Sequence, residues 1–161
     1  MEEVLPPHTH SGAGFELTRL RQFTVFLENH VGRLRTLLDA IEDTESGMVA
    51  FTIEESAESA LVRFVCREPD VVRESLSKSG FCFGESEVLA VELPRKVRDP
   101  FGSICSALLA AEISIHYAYP FLIRPRGPTI VLYVEDPTLA AQLLIKKGFR
   151  LIGESDLRLE K

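Results

Sequence analysis

The chain has 161 residues and a formal net charge of −6, with 45% hydrophobic and 26% charged residues. That is an ordinary globular mix, long enough for one domain or two small ones sharing a core. The acidic balance argues against nucleic acid as a partner, because phosphate-backbone binders carry a basic face, and no apolar run approaches the ~20 residues that span a bilayer.

Residues 1–18 open acidic and then turn rich in Pro, His and Gly. They lack a basic start followed by an apolar stretch, so they do not read as a secretory signal; a flexible tail on a cytoplasmic protein is expected. His8 and His10 form a His-x-His pair, but no third ligand lies nearby in sequence, and no metal site is assigned. Arg21 to Leu27 places Phe23, Val25 and Leu27 on one strand face. Glu28 to Gly32 breaks the pattern. Leu34, Leu37, Leu38 and Ile41 then follow helical i, i+3, i+4, i+7 spacing. Met48–Ile53 and Ala60–Cys66 read as strands separated by the polar Glu54-Glu55-Ser56 turn. Pro69 suits a first helical turn, since its missing N–H is not needed there. Gly80 stops that helix, and Phe81 to Gly84 reads as a short strand.

The same order then returns. Val88 to Leu93 is a strand and Arg95 to Gly102 a break. Ile104, Ala107, Leu108 and Ala111 form a helical stripe. Ile113–Ile123 and Thr129–Glu135 are strands, joined through Arg124-Pro125-Arg126-Gly127-Pro128. Asp136 caps a helix opened by Pro137 and ended by Gly148, and Phe149 to Ile152 starts the last strand. Pro69 and Pro137, and Gly80-Phe81 and Gly148-Phe149, are offset by 68 positions. Gly84-Glu85-Ser86 recurs 69 positions on as Gly153-Glu154-Ser155, and Val31-Gly32-Arg33-Leu34 aligns with Phe101-Gly102-Ser103-Ile104 at an offset of 70. The chain therefore reads as a tail (1–18) and two repeats (19–86 and 87–161). Each runs strand, helix, strand, strand, helix, strand, which is the α+β, ferredoxin-like βαββαβ arrangement with antiparallel sheets. Units this small have marginal cores alone. Side-by-side pairing would remove an exposed sheet edge from each.

The cysteines, Cys66, Cys82 and Cys105, are odd in number and widely spaced, which predicts free thiols rather than a disulfide framework or zinc site. Cys66 and Cys82, in strand-like segments, are expected to be small buried hydrophobes.

The stretch Phe26-Leu27-Glu28-Asn29-His30-Val31-Gly32-Arg33-Leu34 resembles the first strand, loop and helix start of an ACT domain, and the element order matches ACT topology in both halves. The resemblance covers roughly residues 19–156. The whole is similar to stand-alone tandem ACT proteins and, in length and opening motif, to the regulatory small subunit of acetolactate synthase. It implies a regulatory protein, without a catalytic set or cofactor, that binds an amino acid at interfaces between ACT units. The partners it implies are a second copy, giving a homodimer, and a biosynthetic enzyme. The matching loop residues are Asn29, His30, Val31, Gly32 and Leu34 in the first repeat, and Asp99, Pro100, Phe101, Gly102 and Ile104 in the second. A helix N-terminus, with orphan N–H groups and a positive dipole end, independently suits a ligand carboxylate, and glycine permits close approach. The second loop departs from the pattern through its Pro94-Arg95-Lys96-Val97-Arg98 extension and bulky Phe101. A module whose sites are empty and which serves only to oligomerise is the bland alternative.

Four further features invite both readings. His30 reads as a solvent-exposed loop histidine or a ligand contact. His116 reads as outer-face or pocket-lining. Arg124 and Arg126 read as a hairpin tip or an anion clamp. Ser103, Cys105 and Ser106 lie at a helix start, but no local motif joins them to a base.

Overall fold

The computed structural model describes residues 18–28, 31–123 and 127–158; the expected N-terminal tail lies outside the described residues. The first repeat runs β1 (Arg19–Glu28), α1 (Arg33–Glu42), β2 (Met48–Glu55), β3 (Ser59–Cys66), α2 (Pro69–Lys78) and the first half of β4 (Cys82–Glu92). The second runs from the other half of β4 through α3 (Pro100–Leu109), β5 (Ile115–Pro120), β6 (Thr129–Val134), α4 (Pro137–Lys146) and β7 (Leu151–Ile152), and ends in the short α5 (Glu154–Leu157). All pairings are antiparallel. The sheet order is β2-β3-β1-β4-β6-β5, with β7 also on β4. Each repeat thus has its third strand between its second and first, and its fourth beyond the first. This is the ferredoxin-like α+β order, twice.

The helices α2 and α4, each opened by proline, end alike. Gly80 and Gly148 have φ of 71° and 89°. The N–H of Phe81 bonds the Leu76 carbonyl at 3.1 Å, and that of Phe149 bonds the Leu144 carbonyl at 3.0 Å. This is the six-to-one closure that a left-handed residue allows. Asp136 caps α4 by accepting from the Leu139 N–H at 2.9 Å.

Three sequence expectations change. The two short strands expected at Phe81–Gly84 and Val88–Leu93 are one continuous β4, so the division at 86/87 falls inside a strand. The polar Glu85-Ser86-Glu87 looked like a break because turns are polar. Here pairing to Phe23, Gln22 and Arg21 continues straight through it, and Arg73 and Arg19 hold Glu85 and Glu87 on the sheet surface. Gly84-Glu85-Ser86 is mid-strand, whereas its sequence twin Gly153-Glu154-Ser155 opens α5. The identical triplets differ because only the first has strands beside it to extend. Cys82 is exposed, not buried like Cys66, because it lies at the start of β4 opposite exposed Phe26.

Three cores result. Phe23, Val25, Leu37, Ile41, Phe64 and Leu76 pack beneath α1 and α2. Leu89, Val91, Ile104, Leu108, Leu132 and Leu144 pack beneath α3 and α4. The third lies on the opposite face of the sheet, where Leu20, Val65, Val88, Ala90, Tyr119 and Val131 meet Leu157 of α5. The sheet curls until its two ends touch. Ala50 bridges Phe121, and the Leu122 N–H donates to the Val49 carbonyl at 2.8 Å. Fully buried Gln22 sits in this interior. Its Nε2 donates to the Tyr117 hydroxyl at 2.6 Å and to Ser86 Oγ at 3.1 Å, while its Oε1 accepts from the Tyr119 hydroxyl at 2.6 Å. Arg63 lies over the Tyr117 ring at 4.3 Å and pairs with Glu54 at 2.7 Å. Residues of one repeat therefore satisfy those of the other, as buried polar groups require.

Candidate functional site

The first candidate loop joins β1 to α1. Gly32 is the N-cap of α1, with φ of 89°. A Cβ there would meet nothing within 4 Å, so glycine is required by the backbone angle and not by space. The Gly32 carbonyl accepts from Thr36 N and Oγ1 at 3.0 and 3.1 Å. The first turn contains no acidic residue. Among the described residues, no side-chain hydrogen bond to the leading N–H groups of α1 is present. Arg33 stands over Phe81 at 5.0 Å, and Arg35 pairs with Asp39 at 2.7 Å. Val31 is fully exposed and Leu34 is 37% exposed, so Leu34 does not join the buried stripe of Leu37, Ala40 and Ile41. Asn29 and His30 lie outside the described residues. Among the described residues no side chain caps this dipole-positive helix end, which is favourable for an anion.

The second loop is closed on itself. The Asp99 carboxylate accepts from the Gly102 N–H at 2.9 Å, and its carbonyl accepts from Ser103 N at 3.0 Å and Ser103 Oγ at 2.9 Å. A Cβ at Gly102 would collide with the Asp99 carboxylate, so a larger residue there would displace the cap. Pro100 fills the first turn, where no N–H is missed. Phe101 is 38% exposed and Ile104 is fully buried in the second core. A side-chain carboxylate already occupies the position at which an incoming carboxylate would bind α3.

The two loops are not brought together. The first leaves β1 beside the start of β4, where Phe26 pairs with Cys82. The second leaves the far end of β4 after Glu92. An 11-residue strand separates its ends by roughly 33 Å at ~3.3 Å per residue.

His116 is exposed on β5, its ring centroid 5.6 Å from that of Tyr133. Ser103 is committed to the Asp99 carbonyl and Cys105 is half-buried on α3. His8, His10, Arg124 and Arg126 lie outside the described residues. Burial pushes the Cys66 thiol up to about 12. Sequence reasoning missed the Gln22–Tyr117–Tyr119 interior and a cleft beside Glu92. The only available signal was a polar Gln22 on a strand whose opposite face is apolar.

Fold and loops together define a class: a protein of two fused ferredoxin-like units with helix N-termini at opposite ends of a shared strand. The ACT domain pair family matches residues 18–160, and the chain belongs to that family. Among solved structures, it is similar to protein BT0572 from Bacteroides thetaiotaomicron, with 23% identity and a TM-score of 0.79 over 87% of this chain and 96% of that chain. It is also similar to the aspartokinase alpha and beta subunits, at 18% identity and TM-score 0.51 over 80% and 91% of the two chains. The ligand-free regulatory subunit of aspartate kinase from Thermus thermophilus matches at 11% identity and TM-score 0.52, over 80% and 93%. Likenesses at these identities establish the fold. No protein with a curated description matches. No helix among the described residues is long and apolar enough to cross a membrane.

Proposed function

We propose that this is a cytoplasmic regulatory protein that binds an amino acid, with the ligand carboxylate at the N-terminus of α1. The observation that carries the reading is the contrast between the helix ends: α1 begins on left-handed Gly32 with no capping side chain among the described residues, and α3 is already occupied by Asp99. Val31 and Leu34, exposed beside Gly32, offer apolar contact to a ligand side chain or to a neighbouring subunit. Binding there acts by favouring one assembly or partner state over another, which requires a ligand that discriminates between the two. The partners proposed are a second copy of the chain and a biosynthetic enzyme whose pathway makes the bound amino acid.

Thermal shift against the twenty amino acids tests the reading, because a ligand of the native state raises Tm. At least one amino acid is expected to do so, and Gly32→Val, strained at its positive φ, is expected to weaken that response at least tenfold. A chain whose Tm no amino acid moves is not a sensor of this kind.

A further inference from the structure

The outer surfaces of the two repeats are built differently. Each repeat lays a pair of ten-residue helices on the sheet. In the first repeat both helices are charged: α1 carries Arg33, Arg35, Asp39 and Glu42, and α2 carries Asp70, Arg73, Glu74 and Lys78. Some of these pair along the surface, Arg35 with Asp39 at 2.7 Å and Lys78 with Glu74 at 2.8 Å. In the second repeat α3 has no charged residue and α4 has only Lys146. The buried sides are alike, with Leu37, Ile41, Val72 and Leu76 in one core and Ile104, Leu108, Ala141 and Leu144 in the other. The first repeat shows that this packing tolerates a charged outer face, so the apolar outer face of the second is not a demand of the fold. A helix that is apolar all round is one that is covered all round.

That face has a regular shape. Phe101, Cys105 and Leu109 follow at intervals of four and form a ridge along α3. Phe101 is exposed, Leu109 is 75% exposed and Cys105 is half-buried. Gly102, Ser106 and Ala110 form the next row, a groove of small residues, with Ser106 and Ala110 exposed. Rows at i±4 are the ridges and grooves by which two helices interlock. A ridge beside a groove on one helix is complementary to a second copy of itself turned about a two-fold axis. Leu139 and Ile145 of α4, also exposed, widen the apolar area.

Charge points to the same occupant. Each chain carries a net −6, so two copies repel through most of their surfaces. The α3 face, with no formal charge within the helix, meets itself without that penalty. A crossing of ~50°, usual for interlocked i±4 rows, splays the helix ends and keeps Asp99 and Glu112 of one copy apart from those of the other.

We propose that two copies of this chain associate through α3, the Phe101-Cys105-Leu109 ridge of each lying in the Gly102-Ser106-Ala110 groove of the other, helix layer against helix layer. The inference rests on the homodimer proposed above, to which it gives a docking face, and it is independent of the amino-acid site at α1. Cys105, in the middle of the ridge, lies nearest the two-fold axis and close to its counterpart. The difference between the repeats then has a reason: the second assembles the dimer, and the first keeps a charged helix face toward solvent.

Analytical ultracentrifugation of the full chain tests it. A concentration-dependent dimer is expected. Leu109→Glu and Ser106→Arg each place a charge at an exposed position, and each is expected to weaken the dimer by about tenfold or more with circular dichroism unchanged; should either fail to fold, the other reads the same effect. Phe26→Glu and Val31→Glu, at exposed apolar residues of the first repeat, are expected to leave the dimer intact. In a Cys82→Ser background, a short bismaleimide is expected to join two copies through Cys105, with buried Cys66 spared, and Cys105→Ser to abolish the joined species. A dimer that Leu109→Glu and Ser106→Arg leave intact, or that Phe26→Glu or Val31→Glu disperses instead, overturns this face and leaves the homodimer standing. A chain that is monomeric at every concentration overturns both. A dimer whose copies the bismaleimide does not join overturns the placement of α3 on the two-fold axis.

Discussion

Single residues in the interior carry more consequence than their number suggests. Gln22→Leu strands the buried Tyr119 hydroxyl, and leaving such a group unsatisfied costs about 1–3 kcal/mol. Urea denaturation of Gln22→Leu should show that loss, and pairing it with Tyr119→Phe should recover part of it, because then neither partner is orphaned; a double mutant no more stable than the single would contradict the geometry. The cysteines supply a chemical check. Cys66 is buried and its thiol is pushed up to about 12, whereas Cys82 is exposed. Since thiolate is the reactive form, maleimide in native buffer is expected to label Cys82 and spare Cys66 until denaturant is added. Asp70 sets an acid dependence. Its hydrogen bond from Arg21 at 2.7 Å holds the carboxyl below its usual range. A depressed folded pKa contributes stability above the unfolded carboxylate value of about 3.9, lost as pH falls through the lower folded value. The Tm advantage of the wild type over Asp70→Asn should be present at neutral pH and close under acid. It should be small throughout, because Asp70 is mostly exposed.

At the scale of elements, the four longer helices are legible in the sequence, whereas α5 is not and the strands are legible only in part. Pro69 and Pro137 start helices and Gly80 and Gly148 stop them because the constraint is local: a missing N–H, a positive φ. Strand extent is not local. Glu85-Ser86-Glu87 belongs to β4 because β1 lies beside it, and nothing within the triplet says so. The α3 cap shows the middle case: Asp99, Pro100 and Gly102 match a ligand loop in sequence, and in the structure the Asp99 carboxylate also accepts from the Gly102 N–H. Asp99→Ala should cost about 1 kcal/mol, as loss of an N-cap does, measured by denaturant midpoint at unchanged slope. A negligible loss would mean that the cap is not formed in solution.

At the scale of the molecule, β4 belongs to both repeats and the third core joins them. The protein should therefore unfold as one cooperative unit. It contains no Trp and three Tyr, namely Tyr117, Tyr119 and Tyr133, all in or against that third core. Tyrosine fluorescence accordingly reports the join between repeats, and far-ultraviolet circular dichroism reports the whole. Coincident thermal transitions are expected; a tyrosine transition that precedes the loss of helix would mean that the repeats separate before they melt.

The sequence by itself determined the duplication, the order of elements in each unit, the ferredoxin-like class and the placement of a glycine at the start of α1. These follow from periodicity and from backbone rules that act over a few residues. Only the tertiary structure decided that the two units share a strand, that their inner faces curl together around Gln22, and that the N-terminus of α3 is capped by its own Asp99. It also placed Glu92, Arg95 and Arg150 around one cleft, although 58 positions separate the first from the last. Such convergence depends on which strands pair and in what register, and register is a property of the partner strand as much as of the segment itself.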